Sequence, residues 1–185
     1  QFPTITCRTW RHRDGETPFV LLGDAAHTAH FTIGSGTKLA LEDAIALNKA
    51  MVEHVRGGAA GRAAQVDAAL AAYEEARRDE VGRIQHSANV SLVWFENVRR
   101  FWHMEPTQFH VSLLTRSKQI TYENLRLRDA AVVKDATEWW NRDQARQLGI
   151  ATDGRPAGLD APPMFAPFRL REMWVPNRVV VSPMA

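Results

Sequence analysis

The residues best suited to bind a ligand lie between positions 20 and 44. An apolar run, Val20–Gly23, leads directly into the carboxylate of Asp24, and a Gly34-Ser35-Gly36 loop precedes a predicted helix. A carboxylate at a strand end accepts hydrogen bonds from sugar or polyol hydroxyls. Glycines let backbone N–H groups approach a flat acceptor closely, and a helix start carries a partial positive charge. Such a site would stabilise negative charge that develops on a bound cofactor.

Two strings in this region resemble the Gly-Asp motif of FAD-dependent aromatic hydroxylases, the single-component flavoprotein monooxygenases. They are residues 20–27, Val-Leu-Leu-Gly-Asp-Ala-Ala-His, and residues 33–44, Ile-Gly-Ser-Gly-Thr-Lys-Leu-Ala-Leu-Glu-Asp-Ala. The resemblance implies that Asp24 binds the ribityl part of FAD, that the loop and helix start meet the pyrimidine edge of the isoalloxazine ring, and that Asp43-Ala44 closes the motif. For Lys38, a bond to a flavin carbonyl and a solvated side chain stay open. The cofactor-binding residues implied are Gly23, Asp24, Gly34, Ser35, Gly36, Thr37 and Lys38.

The loop departs from most of these hydroxylases, which carry prolines before the glycines. This chain has His-Phe-Thr-Ile at residues 30–33. The variant string 27–38 resembles a narrower group, the bifunctional salicylyl-CoA 5-hydroxylases and the related 2-aminobenzoyl-CoA monooxygenase/reductases. Residues 113–117 and 120–129 also resemble that group.

The C-terminal residues have a different sequence pattern from the helical segments before them. Residues 167–170 and 177–184 are similar to the opening of Old Yellow Enzyme reductases. The resemblance implies three segments. Residues 1–148 would be the C-terminal part of an FAD-dependent monooxygenase domain, and residues 149–163 a linker rich in Gly, Pro and Asp. Residues 164–185 would be the truncated start of an FMN-binding, Old Yellow Enzyme-like TIM barrel.

The implied activity belongs to a larger parent protein. That protein would hydroxylate an aromatic substrate, such as the aryl-CoA thioester salicylyl-CoA, with NAD(P)H and O2. The family's Gly-x-Gly-x-x-Gly fingerprint for ADP binding is absent from this sequence, so we expect it upstream of Gln1. The chain begins without Met and ends in a β-type run, residues 179–185, which we interpret as truncation; we expect the chain alone to be inactive. Two alternatives stay open: a stand-alone helical binding or assembly module without a cofactor, and a flavin hydroxylase of free phenols.

Other reactive side chains give weaker signals. His27 and His30 lie three residues apart, but a zinc site needs three or four ligands, and no cysteine or third histidine has suitable spacing. We therefore predict no metal site. His30 has two interpretations, a packing role and a catalytic role in deprotonating a phenolic substrate. Glu42 and Asp43 are adjacent, so we expect them to point to different helix faces and not to form an acid–base couple.

The elements that position these residues follow from hydrophobic periodicity. Residues 1–14 predict a strand, and Phe19–Gly23 predicts a buried strand. Residues 24–36 form a predicted loop. A helix is predicted from Thr37 to a stop at Gly57-Gly58. Its predicted core stripe consists of Leu41, Ala44, Ile45, Met51, Val52 and Val55.

A second, longer helical pattern follows and ends at Pro106. Arg77 interrupts its apolar stripe and Gly82 weakens it, so a pair of helices is an open alternative to one. Residues 107–118 and 129–148 also have helical patterns. The fold class predicted is therefore α+β and predominantly helical, a fragment of the FAD/NAD(P)-binding fold of aromatic hydroxylases. The apolar stripe of the second helical pattern consists of Val66, Leu70, Tyr73, Val81, Ile84, Ala88, Ser91, Phe95, Val98 and Trp102.

Composition narrows the class of protein. Apolar residues make up 45% and charged residues 24%, which indicates a soluble globular protein, and the net charge of +2 gives no reason to expect a nucleic-acid partner. No run of about 18 apolar residues predicts a membrane span. The single cysteine, Cys7, fits a reducing compartment, so we expect a cytoplasmic location. Trp139 and Trp140 cannot both face one stripe, so one is expected to pack elsewhere in the chain, on the rest of the parent polypeptide, or on a second subunit of a homo-oligomer.

Overall fold

Helices predominate in the part of the chain that the structure describes. A computed structural model describes residues 3–58, 61–148, 168–177 and 179. It contains five α-helices and two small antiparallel sheets of two strands each within those ranges. This arrangement agrees with the predicted α+β, predominantly helical class.

The chain divides into two compact units. The first comprises residues 1–102 with 114–120, and the second comprises residues 103–113 with 121–185. All of the predicted cofactor-binding residues, from 23 to 38, belong to the first unit. The candidate site is therefore described within that unit.

A β-hairpin opens the first unit. Strand β1 (Arg11–Asp14) pairs with strand β2 (Thr17–Val20) in antiparallel register, with Arg11 opposite Val20. Gly15 lies in the connecting turn with a φ of 57°, a left-handed conformation that favours glycine. The strand predicted for residues 1–14 is confirmed only for its last four residues. Before them, Thr6 forms a single antiparallel bridge with His27.

The prediction of a buried strand at Phe19–Gly23 is wrong in extent and in burial. Strand β2 ends at Val20, and Phe19 is 52% exposed. The reason is that the described sheet has only two strands, and most of their residues stay exposed although helix α2 (Arg62–Glu96) contacts them. Val20, at the end of the strand, packs against the core.

Helix α1 (Gly36–His54) starts one residue before its predicted start and ends ahead of Gly57-Gly58. Its predicted core stripe is wrong for Leu41, Ile45 and Val52, which are 61–69% exposed, whereas Met51 and Val55 pack against the core. The helix carries apolar residues on nearly all sides, so periodicity alone does not select a face. The face turned inwards is the one that carries Asp43, and its buried residues are Leu39, Asp43 and Ala50.

Helix α2 (Arg62–Glu96) is one helix of 35 residues, about 52 Å long. The alternative of two helices is wrong, because the helix passes through Arg77 and Gly82 without a break. It packs along α1, and the core lies where these helices meet the hairpin. The predicted stripe is confirmed in its central part. The buried residues of α2 are Ala69, Leu70, Tyr73, Glu74, Arg77, Val81, Gln85, Ala88 and Ser91.

The predicted apolar stripe of α2 extends too far toward the C-terminus. Helix α2 ends at Glu96, a 3₁₀ turn follows at Val98–Phe101, and Trp102 is exposed. Pro106 does not end a helix but opens helix α3 (Pro106–Thr115). Proline is favoured at a first helical position, because the N–H that it lacks has no intrahelical partner there.

The remaining elements are α4 (Tyr122–Arg128), α5 (Ala130–Leu148), β3 (Phe168–Leu170) and β4 (Met173–Val175), the last two forming a hairpin. Helical predictions for residues 107–118 and 129–148 are confirmed within a few residues at each end. The predicted linker, and half of the predicted barrel segment, lie outside the described residues. The three predicted segments stay predictions. None of the described helices has the length and apolar character that crossing a membrane requires.

Candidate functional site

A tight turn at the end of β2 presents Asp24. Leu22 is extended, Gly23 has a φ of 57°, and a 3₁₀ turn covers Gly23–Ala25. The Gly23 carbonyl accepts hydrogen bonds from the N–H groups of Ala26 and His27, at 2.9 and 3.0 Å. A Cβ at position 23 would lie 3.1 Å from the Cβ of Ala40 on α1. Glycine is therefore required here both by the left-handed backbone and by the close approach of α1.

The Asp24 carboxylate points away from the protein core. Asp24 is exposed, and no described residue forms a hydrogen bond or an ion pair with its side chain. The next two residues are alanines, which leave space beside the backbone. A carboxylate presented in this way can accept hydrogen bonds from the hydroxyl groups of a ligand.

The glycine loop, residues 30–36, leads into helix α1. A 3₁₀ turn covers Phe31–Ile33, and Gly34 follows with a φ of 65°. Ser35 caps α1 without a side-chain hydrogen bond, and its buried Oγ has no hydrogen-bond partner among the described residues. No atom lies within 4 Å of a Cβ built on Gly34 or Gly36. The loop thus leaves open space beside the helix N-terminus, where the first N–H groups lack intrahelical partners.

The other two residues of the predicted cofactor set lie in the first turn of α1. Thr37 is exposed, and the Lys38 ammonium forms an ion pair with Glu42 one turn further along. Its side chain is 60% exposed, so a bond to a flavin carbonyl and a solvated side chain both stay open. The hydrogen bond from Lys38 is the largest cause that lowers the pKa of Glu42, and Arg77 adds to it. Lys38 therefore acts on Glu42 within the protein.

Asp43 is the centre of a buried polar cluster. Its side chain is 0% exposed. Its Oδ2 accepts hydrogen bonds from the Gly23 N–H at 3.0 Å and from His27 Nε2 at 2.8 Å, while its Oδ1 accepts one from Arg77 Nε at 2.8 Å. One carboxylate on α1 thus fixes the Asp24 turn and joins it to α2. We call Gly23, His27, Glu42, Asp43, Arg77 and Glu80 the Asp43 cluster.

Arg77 supplies the positive charge of the cluster. Besides Asp43, its guanidinium bonds Glu42 at 3.1 Å and Glu80 at 2.6 Å. Burial lowers the pKa of Arg77, but the hydrogen bond and charge of Asp43 outweigh it, and the net shift is upward. Glu42 and Asp43 both contact this guanidinium, although adjacent residues were expected to point to different helix faces. That they form no acid–base couple stays a prediction. The sequence did carry a signal for the cluster, because an arginine at a core position between Tyr73 and Val81 needs a buried partner.

The two histidines of the motif have different surroundings. His27 is 2% exposed, bonds Asp43 and packs its ring 5.0 Å from that of Trp10. His30 is half-buried, stacks on Phe31 at 4.3 Å, and its Nδ1 accepts a hydrogen bond from the Thr32 N–H at 3.4 Å. Within the described ranges, no three His, Cys, Asp or Glu side chains are grouped so that they could hold a metal ion.

An apolar cleft of about 930 Å³ lies beside the glycine loop. The loop forms one wall, with Phe31 67% exposed, and the C-terminal end of α2 forms the other. His30 and Glu96 are its two ionisable lining residues. The lining residues, which define the apolar cleft from here on, are Pro3, His30, Phe31, Thr32, Leu92, Phe95 and Glu96.

Residues 4–88 match the family described as FAD binding domain. That range contains the Asp24 turn, the glycine loop and the whole Asp43 cluster. The match is the first independent support for FAD as the cofactor of this site. Individual flavin contacts, including those of Asp24 and Gly34, stay predictions.

The chain is similar to enzymes that oxygenate aromatic compounds. It is 42% identical over 181 residues to a salicyloyl-CoA 5-hydroxylase of a Streptomyces species, a match covering 97% of this chain and 29% of that protein. It is 38% identical over 125 residues to a 3-hydroxy-4-methyl-anthranilyl-[aryl-carrier protein] 5-monooxygenase of Streptosporangium sibiricum, covering 68% of this chain and 31% of that protein. A kynurenine 3-monooxygenase of Xanthomonas campestris is 39% identical over 85 residues, covering 46% of this chain and 16% of that protein.

These matches support one class. Residues 4–88 match an FAD binding domain, and the chain is similar to proteins named as aromatic hydroxylases and monooxygenases. It spans less than a third of the length of each of these relatives.

Proposed function

We propose that this chain is part of an FAD-dependent monooxygenase that hydroxylates an aromatic substrate with NAD(P)H and O2. The observation that carries the proposal is the exposed Asp24 carboxylate, which has no described partner and sits on a turn fixed by Asp43. Beside it, the glycine loop leaves space at the N-terminus of α1. A flavin cofactor has the two matching features, polyol hydroxyls and a ring edge with hydrogen-bond acceptors.

The residues present fit the FAD group. Asp24 would accept hydrogen bonds from the ribityl hydroxyls, and the N–H groups at Gly36 and Thr37 would face the ring edge, where the helix dipole favours negative charge. The buried Ser35 Oγ, which has no described partner, is a further donor on this side. When bound, FAD supplies the redox chemistry that activates O2, while the protein binds, orients and excludes water.

The substrate proposed is an aryl thioester whose ring enters the apolar cleft. The cleft's aromatic and aliphatic lining suits a flat ring. Two similar proteins have an aryl-CoA and an aryl-carrier protein in their names, which supports a thioester over a free acid. A comparison of kcat/KM for salicylyl-CoA and for free salicylate tests this choice; a higher value for salicylate would favour the hydroxylase of free phenols.

His30 lines the apolar cleft, and its Nδ1 accepts the Thr32 N–H. A packing role and a part in deprotonating a phenolic substrate both stay open for it.

Retention of FAD by the full-length polypeptide tests the proposal. We expect Asp24→Ala to raise the Kd for FAD about 10- to 150-fold, the equivalent of one hydrogen bond to a charged group at about 1.5–3 kcal/mol. The measurement is the visible absorption of bound flavin after dialysis, with FAD titration of the apoprotein. Asp79→Ala, which removes an exposed carboxylate from α2, is the matched control. Equal FAD affinity in Asp24→Ala and the wild type would contradict the proposed site.

One observation favours a second candidate, a binding or assembly module without a cofactor. Leu41, Ile45 and Val52 form an exposed apolar face on α1. A full-length polypeptide that is colourless and does not bind added FAD would favour this candidate. Bound flavin would exclude it as the main function.

A further inference from the structure

Arg116 connects the two walls of the apolar cleft. It belongs to residues 114–120, which are part of the first unit. Its Nη2 donates a hydrogen bond to the Thr32 carbonyl at 2.8 Å, and its Nε donates one to the Ser91 hydroxyl at 3.0 Å. Its guanidinium also lies 5.1 Å from the centre of the Phe95 ring. One side chain therefore contacts the glycine loop and α2 at the same time.

The loop segment that Arg116 holds is the one that lines the cleft. Besides accepting from Arg116, Thr32 donates from its Oγ1 to the Ala88 carbonyl at 3.2 Å, and its N–H bonds His30. The 3₁₀ turn at Phe31–Ile33 is thus tied to α2 at its middle residue. The bond from Arg116 is the one among these that carries a charge, and charged hydrogen bonds are about twice as strong as neutral ones.

The geometry of the guanidinium is specific. Its planar fork reaches two acceptors in different directions while one face approaches an aromatic ring. A lysine has a single ammonium and a less directional geometry, so it cannot reproduce all three contacts. Ser91 is fully buried and Arg116 is half-buried, so this bond is partly shielded from water.

We propose that Arg116 is a positioning residue, which fixes the distance between the glycine loop and α2 and so sets the affinity of the apolar cleft for an aromatic ring. The proposal rests on the proposed function, because the cleft is taken as the place of the substrate ring. Arg116 acts through Thr32 and Phe95, and does not line the cleft itself.

Amide exchange and binding of a small aromatic probe test this role in the full-length protein. The probe is salicylamide, a neutral ring with an ortho hydroxyl, and its binding is followed by saturation-transfer NMR, which needs no turnover. Arg116→Met should raise the exchange rate of amides 31–34 and the Kd for salicylamide by about 10- to 150-fold each, the equivalent of losing the charged hydrogen bond to Thr32 at about 1.5–3 kcal/mol. Arg116→Lys should restore the slow loop exchange and the affinity for salicylamide only in part. Arg83→Met, which removes an exposed arginine with no described partner, is the matched control and should change neither.

The outcomes separate a positioning role from a general structural one. If Arg116→Met accelerates exchange equally in the loop and along α1 and α2, the residue merely stabilises the fold, and the proposal is wrong. Unchanged loop exchange, or faster loop exchange with an unchanged Kd, also overturns it, as does a wild-type protein that does not bind salicylamide. If the wild type contains no flavin, the proposed function is contradicted instead. The comparison of Arg116→Met with the wild type then still tests the role of Arg116. Ser91→Ala gives a second variant, with a smaller expected effect in the same direction.

Discussion

Replacing Asp43 with asparagine keeps the size of the side chain and removes its charge from a site that is 0% exposed. The aspartate accepts hydrogen bonds from Gly23, His27 and Arg77. An asparagine has one acceptor oxygen, which can still serve Gly23 and His27. Its NH2 group then faces the Nε–H of Arg77, so two donors meet in the protein core.

The expected cost follows from these contacts. One charged hydrogen bond is worth about 1.5–3 kcal/mol, and breaking a buried ion pair from one side costs about 3–5 kcal/mol. The upper value is not reached, because Glu42 and Glu80 still neutralise Arg77. We therefore expect Asp43→Asn to lower the free energy of unfolding by about 3 kcal/mol, and Tm by about 6–12 °C.

Urea unfolding followed by far-UV circular dichroism measures this loss, with Glu80→Gln as the control. Glu80 bonds the same guanidinium at 2.6 Å, but its side chain is 41% exposed, so a loss below about 1 kcal/mol is expected. A loss for Asp43→Asn no larger than that of Glu80→Gln would refute the view that Asp43 holds the turn and α2 together. A double-mutant cycle with Arg77→Gln then measures the coupling directly.

Two further predictions concern helix α2. Burial, and next the negative charge of Asp43, raise the pKa of Tyr73 above its ordinary value of 10.0. The contribution of Tyr73 to stability is thus complete below about pH 10 and is lost as the pH rises toward the folded-state pKa, because the unfolded chain ionises first. Urea unfolding between about pH 8 and about pH 11 should show a smaller alkaline loss in Tyr73→Phe than in the wild type, and equal losses would contradict the shift. Gly82→Ala should raise stability by about 0.5–1 kcal/mol in thermal unfolding, because Gly82 is an exposed mid-helix residue with no atom within 4 Å of an added Cβ; destabilisation would show that α2 is not continuous there.

The sequence predicted the elements of the site better than their packing. The order of strand, glycine loop and helix was predictable because glycine and an apolar run have local physical meaning. The structure confirms the loop and the helix, but the strand ends at Val20 and a 3₁₀ turn carries Asp24. The inward face of α1 was predicted wrongly. Leu41 and Ile45 gave a sound helical stripe, but the contact that selects the face is the hydrogen bond between Asp43 and Arg77, whose residues lie 34 positions apart.

Long-range contacts also explain the other differences between the sequence predictions and the structure. Arg77 was interpreted as a break in the α2 stripe, because a charged residue in a core position is costly without a partner, and the partner could not be read from local spacing. Arg116 carried no local signal for contact with the glycine loop, which lies 84 positions earlier. The outline of the candidate site was therefore predictable, and the contacts that hold it in place were not.

Because α2 is continuous, it fixes the rotation of the Asp43 cluster relative to the apolar cleft about the helix axis. Arg77, in the Asp43 cluster, and Phe95, in the apolar cleft, are 18 positions apart, which is five full turns and about 27 Å along one side of the helix. A single inserted or deleted residue between them would rotate one site by about 100° relative to the other. Insertions and deletions should therefore be absent from this stretch in every related sequence that retains both sites, whereas substitutions on its outer side are free to accumulate.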